Sequence, residues 1–278
     1  MPDPSSPIGI FDSGVGGLSV LRSIQQQMPA EDLIYLGDQG HVPYGARPME
    51  QIQRFSEAIT RFLLDQGSKI IVVACNTASA AALTYLRSKF PHINFVGMEP
   101  AVKPAAEMTK TGKVGVLATP ATFQGALYAS VVERFGAGVE FLKHTCPGLV
   151  EQIEKGELDS VATRSILENA LHPMLEQHID TIVLGCTHYP FVIPLIEEIA
   201  GKTVRVIDPA PAVARQVGRI LDAIGLRTRS DASGKVQLYT SGDTKLAEFV
   251  LSRLLIYGVG VKPVLWKDDE NVELSPKQ

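Results

Sequence analysis

The sequence is poor in cysteine, basic runs and long apolar stretches. Its three cysteines among 278 residues form an odd, sparse set that argues against a disulfide framework. A formal net charge of −4, without any lysine- or arginine-rich run, offers no basic footprint for nucleic acid. No apolar stretch approaches the ~20 residues of a membrane span, and the N-terminus lacks the basic and apolar regions of a signal peptide. These absences predict a soluble protein of the reducing cytoplasm, where thiols stay reactive.

Short apolar segments alternate with amphipathic helical patterns along the whole chain. This alternation predicts parallel sheets with helices on both faces. The predicted strands are Ile8–Phe11, Leu33–Leu36, Lys69–Ala74, Asn94–Gly97, Lys113–Leu117, Val139–Leu142, Thr181–Gly185, Val204–Ile207, Val236–Tyr239 and Val261–Leu265. The predicted helices include Gly17–Met28, Met49–Gln66, Thr77–Phe90, Ala121–Phe135, Leu149–Lys155, Ser160–His178 and Ala210–Ile224.

Two of these apolar segments resemble each other, and each ends in a cysteine. Cys75 lies 111 residues before Cys186, and the segment that begins at Ile8 resembles the one that begins at Val114, 106 residues later. The similar offsets predict a duplicated unit of about 100 residues, the size of a domain. About seventy residues follow Asp208, and the pattern leaves open whether they form a third unit or return to the first.

The two repeated cysteines are the first candidates for chemistry. Ligands bind at the carboxyl ends of strands in open α/β sheets, where Cys75 and Cys186 are expected. A helix N-terminus lowers a thiol pKa, so the helix expected after each cysteine favours a thiolate. The alternative is that each is a small buried hydrophobe, since free cysteine is among the most buried residue types. Cys146, which has no counterpart in the repeat, is interpreted as structural.

Polar and glycine-rich loops follow the neighbouring strands. The turn Asp12–Gly17 exposes backbone N–H groups at a predicted helix N-terminus and is expected to bind a small anion, although its spacing matches no nucleotide motif. The loop Asp38–Gly45 forms a defined turn at the same sheet edge, and its alternative interpretation is purely structural.

His188 lies two residues after Cys186. We expect it to increase the fraction of Cys186 that is a thiolate, or to form half of a zinc site. Glu154 reads as a solvated charge on a helix.

Two thiols at equivalent strand ends suit inversion of a carbon stereocentre. A thiolate on one face removes a proton, a thiol on the other returns one, and fixed donors stabilise the planar carbanion between them. This chemistry requires neither a metal nor an organic cofactor. Two rivals remain open: a Cys/His metal-binding protein and a small-carboxylate-binding protein. A dithiol redox enzyme fits poorly, because no Cys-x-x-Cys is present. The strand-end side chains that offer donors are Asn76, Thr77, Thr119 and Thr187.

Four segments resemble the glutamate racemases of the aspartate/glutamate racemase superfamily. They are Gly9–Leu18, Pro43–Gly45, Ala74–Ala78 and Leu184–Pro190, and the resemblance extends over essentially the whole chain. It implies two doubly wound, mainly parallel-sheet α/β domains related by a pseudo-two-fold axis, with the active site in the cleft between them. The chain end then returns to the first domain, so the domains comprise residues 1–98 with 208–278, and residues 99–207.

The resemblance also implies an activity: cofactor-free interconversion of L- and D-glutamate by two cysteines, supplying D-glutamate for bacterial peptidoglycan and so for cell shape. A racemase for aspartate or another acidic amino acid is the same-class alternative. The family is often dimeric, which implies a homodimer. A departure is the sequence Gln39-Gly40-His41, where the family usually has a segment closer to Thr-Ala-Arg, so the charge and mobility of this loop are open.

Residue roles carried over by motif follow the same resemblance. Cys75 and Cys186 correspond to the proton-transfer residues, assisted by Asp12 and His188 respectively. Glu154, eight residues after Cys146, is similar to an auxiliary acid of the family. The implied substrate contacts are Asp12, Ser13, Tyr44, Gly45, Asn76, Thr77, Thr187 and His188, to which the residue-based reading adds Thr119.

Overall fold

A computed structural model describes residues 2–254, 260–267 and 274–276. Its strands are β1 (Ile8–Asp12), β2 (Leu33–Gly37), β3 (Ile70–Val73), β4 (Phe95–Gly97), β5 (Lys113–Ala118), β6 (Glu140–His144), β7 (Thr181–Gly185), β8 (Arg205–Ile207), β9 (Val236–Thr240), β10 (Val261–Trp266) and β11 (Leu274–Pro276). Its α-helices are α1 (Leu18–Gln27), α2 (Met49–Asp65), α3 (Asn76–Lys89), α4 (Val102–Met108), α5 (Pro120–Gln124), α6 (Ala126–Phe135), α7 (Leu149–Glu154), α8 (Val161–Glu176), α9 (Ile193–Ala200), α10 (Ala210–Ala223) and α11 (Thr244–Arg253).

The ten predicted strands are all present, with ends within two residues of the predicted ones. One predicted helix, Ala121–Phe135, is instead the two helices α5 and α6. Gly125 separates them with an extended backbone (φ −67°, ψ 138°). A Cβ at Gly125 would lie 2.9 Å from the Cβ of Ala80 on α3, so this break also lets α3 approach closely.

The strands form two sheets, and the smaller sheet repeats the topology of four strands of the larger one. The first has the order β11-β10-β9-β2-β1-β3-β4, and the second has the order β6-β5-β7-β8. Their pairings are parallel except that of β10 with β11. The segment β2-β1-β3-β4 therefore corresponds strand for strand to β6-β5-β7-β8. This correspondence gives the sequence repeat a structural form, because β3 precedes Cys75 and β7 precedes Cys186.

Helices cover both faces of each sheet, which buries successive strand residues in different cores. Ile8 and Ile10 of β1 pack with α1 and α10, whereas Phe11 packs with α2 and α3. In the second sheet, Val183 of β7 packs with α4 and α6, whereas Leu184 packs with α8 and α9. The fold is thus mixed α/β with parallel strands in two sets, as expected for strands that are apolar on both faces.

Parallel strands present their carboxyl ends at a single edge of each sheet. Asp12 ends β1, Cys75 follows β3, Thr119 follows β5 and Cys186 follows β7. The two sheets turn these edges toward each other, since Thr77 and Thr119 are joined by a hydrogen bond of 2.9 Å. Among the described residues, the helices include none that is long and apolar enough to cross a membrane.

Candidate active site

A small cavity of about 20 Å³ lies where the two sheet edges meet. Both repeated cysteines line it, one from each half of the duplication. The cavity therefore brings together most of the residues selected from the sequence, including both thiols. Two further residues line it: Pro43, which belongs to a segment that carries the family resemblance but was not selected as a contact, and Val150, which carried no sequence signal. The predicted residues that line it are Ser13, Tyr44, Gly45, Cys75, Asn76, Thr77, Thr119, Cys186, Thr187 and His188.

Cys75 caps the N-terminus of α3. Its Sγ accepts a hydrogen bond of 3.4 Å from the Ala78 N–H, and lies 3.8 Å from the hydroxyl of Ser13. The predicted consequence, a lowered thiol pKa, is wrong for this cysteine. Burial and the negative charge of Asp12 raise the Cys75 pKa well above its ordinary value, outweighing the helix N-terminus. The free protein therefore holds Cys75 as a protonated thiol.

Asp12 lies behind Cys75, fully buried at the end of β1. One carboxylate oxygen accepts a hydrogen bond of 2.7 Å from the Gly17 N–H, and the Thr187 hydroxyl lies 3.5 Å from both oxygens. Burial raises the Asp12 pKa, against the lowering effect of His188. A carboxyl with a raised pKa next to a thiol can exchange a proton with it.

Two N–H groups of the glycine-rich turn Asp12–Gly17 are already bonded to carboxylates of the protein itself. The Gly17 N–H is taken by Asp12, and the Val15 N–H donates to Glu154 Oε1 at 2.7 Å. These two N–H groups are therefore occupied within the protein, and binding of an outside anion by the rest of the turn stays a prediction.

On the other side of the cavity, His188 connects Cys186 to Glu154. Nδ1 of His188 lies 3.7 Å from the Cys186 Sγ, and Nε2 donates to Glu154 Oε1 at 2.6 Å. Burial alone would lower the His188 pKa, but hydrogen bonds to Cys186 and Glu154, and the charges of these groups, hold it well above its ordinary value. The three side chains form a relay that keeps a proton beside Cys186.

Glu154 is buried, so its interpretation as a solvated charge is wrong. Only 8% of it is exposed at the C-terminal end of α7, and three donors surround its carboxylate: the Val15 N–H, His188 Nε2 and the Gln39 side-chain amide. These partners lie 139, 34 and 115 residues away in sequence. Local periodicity cannot reveal such contacts, and only the family resemblance pointed to this residue.

Two glycines of the turn make room for this relay. A Cβ at Gly14 would lie 1.8 Å from Glu154 Oε1, and one at Gly16 would lie 2.5 Å from His188 Nδ1. Side chains at either position would occupy the space of the relay. The glycines are therefore required for close approach between the two halves of the molecule.

Polar side chains complete the cavity wall. The side-chain amide of Asn76 is buried, and its oxygen and nitrogen have no hydrogen-bond partner in the structure. Thr119 hydrogen-bonds to Thr77 at 2.9 Å and to Thr122 at 3.0 Å. Unpartnered buried amide atoms are costly, so Asn76 is prepared to bind a polar ligand in the cavity.

The loop Asp38–Gly45 is held in place by its own contacts. Asp38 is fully buried and accepts hydrogen bonds from the hydroxyl of Tyr44 (2.7 Å) and the indole of Trp266 (2.8 Å). His41 stacks on Phe55 with ring centroids 4.1 Å apart. The departure from the family sequence at Gln39-Gly40-His41 thus leaves this loop anchored.

The part of the chain that the structure describes has no group of three or more His, Cys, Asp or Glu side chains placed to hold a metal ion. Cys146, the third cysteine, is a buried free thiol whose pKa burial raises to about 12. It does not line the cavity.

The fold and the site together define a class of protein: a two-domain α/β enzyme with a buried cysteine on each side of its cavity, each next to a titratable side chain. Sequence comparison agrees, since the sequence model of the Asp/Glu/hydantoin racemases matches residues 8–217. The chain therefore belongs to the Asp/Glu/hydantoin racemase family, a family of isomerases.

Individual relatives extend this match over the whole chain. A glutamate racemase of Pseudomonas paraeruginosa is 47% identical over 272 residues, which are 98% of each chain. The solved structure of a glutamate racemase from Bacillus anthracis superposes with a TM-score of 0.82 at 34% identity, covering 92% of this chain and 96% of that one. The Escherichia coli glutamate racemase in complex with L-glutamate and an activator gives 0.82 at 30% identity, covering 97% and 99%.

Proposed function

We propose that this protein is a glutamate racemase that interconverts L- and D-glutamate by two-base proton transfer at Cα. The observation that carries the proposal is the placement of Cys75 and Cys186 on opposite halves of one cavity, each with a different helper. The substrate is supported by the relatives, which are named for glutamate at up to 99% coverage of this chain. Cys75 and Cys186 act as the two bases, on opposite faces of Cα.

The helper groups give each thiol its own way of moving a proton. Cys75 is a thiol in the free protein because burial and the charge of Asp12 raise its pKa. A substrate ammonium bound against Asp12 brings a positive charge, which favours the thiolate. Cys186 exchanges its proton with His188, and Glu154 stabilises the imidazolium that forms. In each direction one cysteine acts as the thiolate after passing its proton to its helper, Asp12 for Cys75 or His188 for Cys186, while the other donates a proton as the thiol.

The remaining polar residues bind the substrate and stabilise the carbanion. Ser13, Asn76, Thr77, Thr119 and Thr187 offer hydrogen bonds around the cavity, and Tyr44 and Gly45 form its wall. Fixed donors of this kind lower the barrier to removing a weakly acidic α-proton, because they need no reorganisation as charge develops. No metal or organic cofactor takes part in the proposed reaction.

The two halves must separate before glutamate can bind. A cavity of about 20 Å³ holds about one water molecule, and glutamate is several times larger. The proposed domains, residues 1–98 with 208–278 and residues 99–207, are the bodies that move. Each contributes one cysteine, so closing them around glutamate brings both thiols to Cα.

The wider setting is part of the proposal. D-glutamate made in the cytoplasm would supply bacterial peptidoglycan, and the protein would work as a homodimer, an assembly supported by the family resemblance. Sedimentation analysis of the purified protein tests the dimer: a single species of 60 kDa, twice the chain mass, is expected, and one at 30.0 kDa contradicts it.

The test of the function is direct. Purified protein is incubated with L-glutamate, and the circular dichroism of the amino acid is followed until it reaches zero. L-aspartate is the matched control, since it differs by one methylene. Loss of the glutamate signal at a much higher rate supports the proposal, and preference for aspartate supports the same-class alternative. No change with either amino acid contradicts a racemase of acidic amino acids, and zinc bound at one equivalent would instead support a metal-binding protein.

A further inference from the structure

One donor to Glu154 comes from a residue that neither the sequence patterns nor the racemase motifs selected. Gln39 is half-buried in the loop after β2, and its Nε2 donates to Glu154 Oε2 at 2.9 Å. Its other side-chain atom, Oε1, accepts a hydrogen bond of 2.8 Å from the Thr240 hydroxyl at the end of β9. Gln39 thus connects the first sheet to a carboxylate carried by α7, next to the second sheet.

The chemistry of its two partners fixes the orientation of the Gln39 amide. A carboxylate can only accept, so it must face the NH₂ group. The Thr240 oxygen already accepts from the Gly242 N–H at 3.0 Å, which directs its own proton to Gln39 Oε1. Reversing the amide would set its oxygen against the Glu154 carboxylate and lose the bond to Oε2. Gln39 is therefore held as a donor aimed at one oxygen of Glu154.

The other oxygen of Glu154 serves the relay. Oε1 accepts from Val15 N–H and from His188 Nε2, while Oε2 accepts from Gln39. A carboxylate held at both oxygens cannot rotate away from the imidazole. The position of the Glu154 carboxylate relative to the His188 imidazole matters, because a displacement of about 1 Å in a catalytic group can reduce the rate about 100-fold.

We propose, resting on the proposed function, that Gln39 is a positioning residue: it holds Glu154 against His188 and so sets the geometry of proton transfer at Cys186. Gln39 belongs to the first proposed domain and Glu154 to the second, so this bond fixes the relay carboxylate from across the boundary between the two.

The first variant removes the donor and keeps the shape. Gln39→Leu is expected to lower kcat for glutamate racemisation by about 10-fold or more, with KM changed by no more than about twofold, because the lost contact acts on the reacting geometry and does not touch the substrate. The exposed substitution Gln25→Leu on α1 is the control and is expected to leave both constants unchanged.

The second variant gives a readout that a merely structural role would not move. Gln39→Glu places an acceptor and a like charge against Glu154, so activity is expected to be lost at neutral and alkaline pH. It should recover at acid pH, where a protonated Glu side chain donates as the Gln amide does. The other titratable groups around Glu154 are His188, Asp12 and Tyr35. These groups are also present in Gln39→Leu. That variant lacks the added carboxyl group, so its activity should not recover at acid pH.

The outcomes are separable. Gln39→Leu with kcat within about twofold of the parent protein overturns the role of Gln39. So does a Gln39→Glu profile that superposes on that of Gln39→Leu, or activity lost only in proportion to the folded fraction measured by circular dichroism. Absence of racemisation in the parent protein itself contradicts the proposed function, which is a different result from an active parent with an unaffected variant.

Discussion

At the scale of single residues, the two cysteines are equivalent in position but differ in environment. Cys75 is influenced by Asp12 and a helix N-terminus, and Cys186 by an imidazole bonded to a carboxylate. Sequence alone predicted the equivalence and the family resemblance predicted the helpers. The direction of the Cys75 pKa shift could not be predicted from sequence, because it depends on burial, which is a property of the folded chain.

Serine substitution tests whether both thiols are required. Cys75→Ser and Cys186→Ser should each abolish racemisation, with loss of at least about 1000-fold, because a serine hydroxyl is a far weaker acid and base at this position. Steady-state kinetics measures the loss, and far-UV circular dichroism checks the fold. Cys146→Ser is the matched control, since that buried thiol lies outside the cavity and should leave activity largely intact. Full activity in either of the first two variants refutes the assignment.

The His188–Glu154 pair makes a prediction about stability and pH. The folded-state pKa of His188 is raised above its unfolded value of 6.5, so its stabilisation is fully present below pH 6.5 and is lost as the pH rises through the folded pKa. Glu154→Gln should therefore reduce the free energy of unfolding by about 2 kcal/mol near pH 6, and by less as the pH increases. Urea unfolding at a series of pH values measures the difference. A difference that stays constant with pH contradicts the prediction.

At the scale of elements, strands were predicted well and contacts between distant loops were not. Buried parallel strands are apolar on both faces, and this pattern is visible in sequence at Ile70–Val73 and Thr181–Gly185. The break at Gly125 and the partners of the turn Asp12–Gly17 depend on neighbours far along the chain. The glycine-rich turn was correctly placed at a strand end, but the internal bonds of its Val15 and Gly17 N–H groups could not be predicted.

The turn yields a test of whether the relay depends on close approach at Gly14. Gly14→Ala introduces a Cβ at 1.8 Å from Glu154 Oε1, so it should displace Glu154 and reduce kcat by about 100-fold, with a stability loss of about 1–3 kcal/mol from overpacking. Gly260→Ala is the control, because nothing lies within 4 Å of the added atom. Kinetics and thermal unfolding give the two readouts. Equal behaviour of the two variants would show that the turn tolerates the side chain and that the relay does not depend on it.

At the scale of the whole molecule, duplication explains why one cavity holds two thiols. The strand orders β2-β1-β3-β4 and β6-β5-β7-β8 place Cys75 and Cys186 at corresponding ends. Hydrogen bonds between the halves, such as Thr77 to Thr119 and Gln39 to Glu154, close the cavity. In the proposed function, these same contacts open to admit the substrate, which would couple access to catalysis through the interface.

The central claim is that two different residues act on the two faces of Cα. It is tested most directly by incubating the protein with L-glutamate in D₂O and analysing the first turnovers by mass spectrometry after separating the enantiomers. The account predicts that D-glutamate carries deuterium at Cα from the start while the remaining L-glutamate keeps its hydrogen. Equal early deuteration of both enantiomers would indicate a single base and would contradict the account.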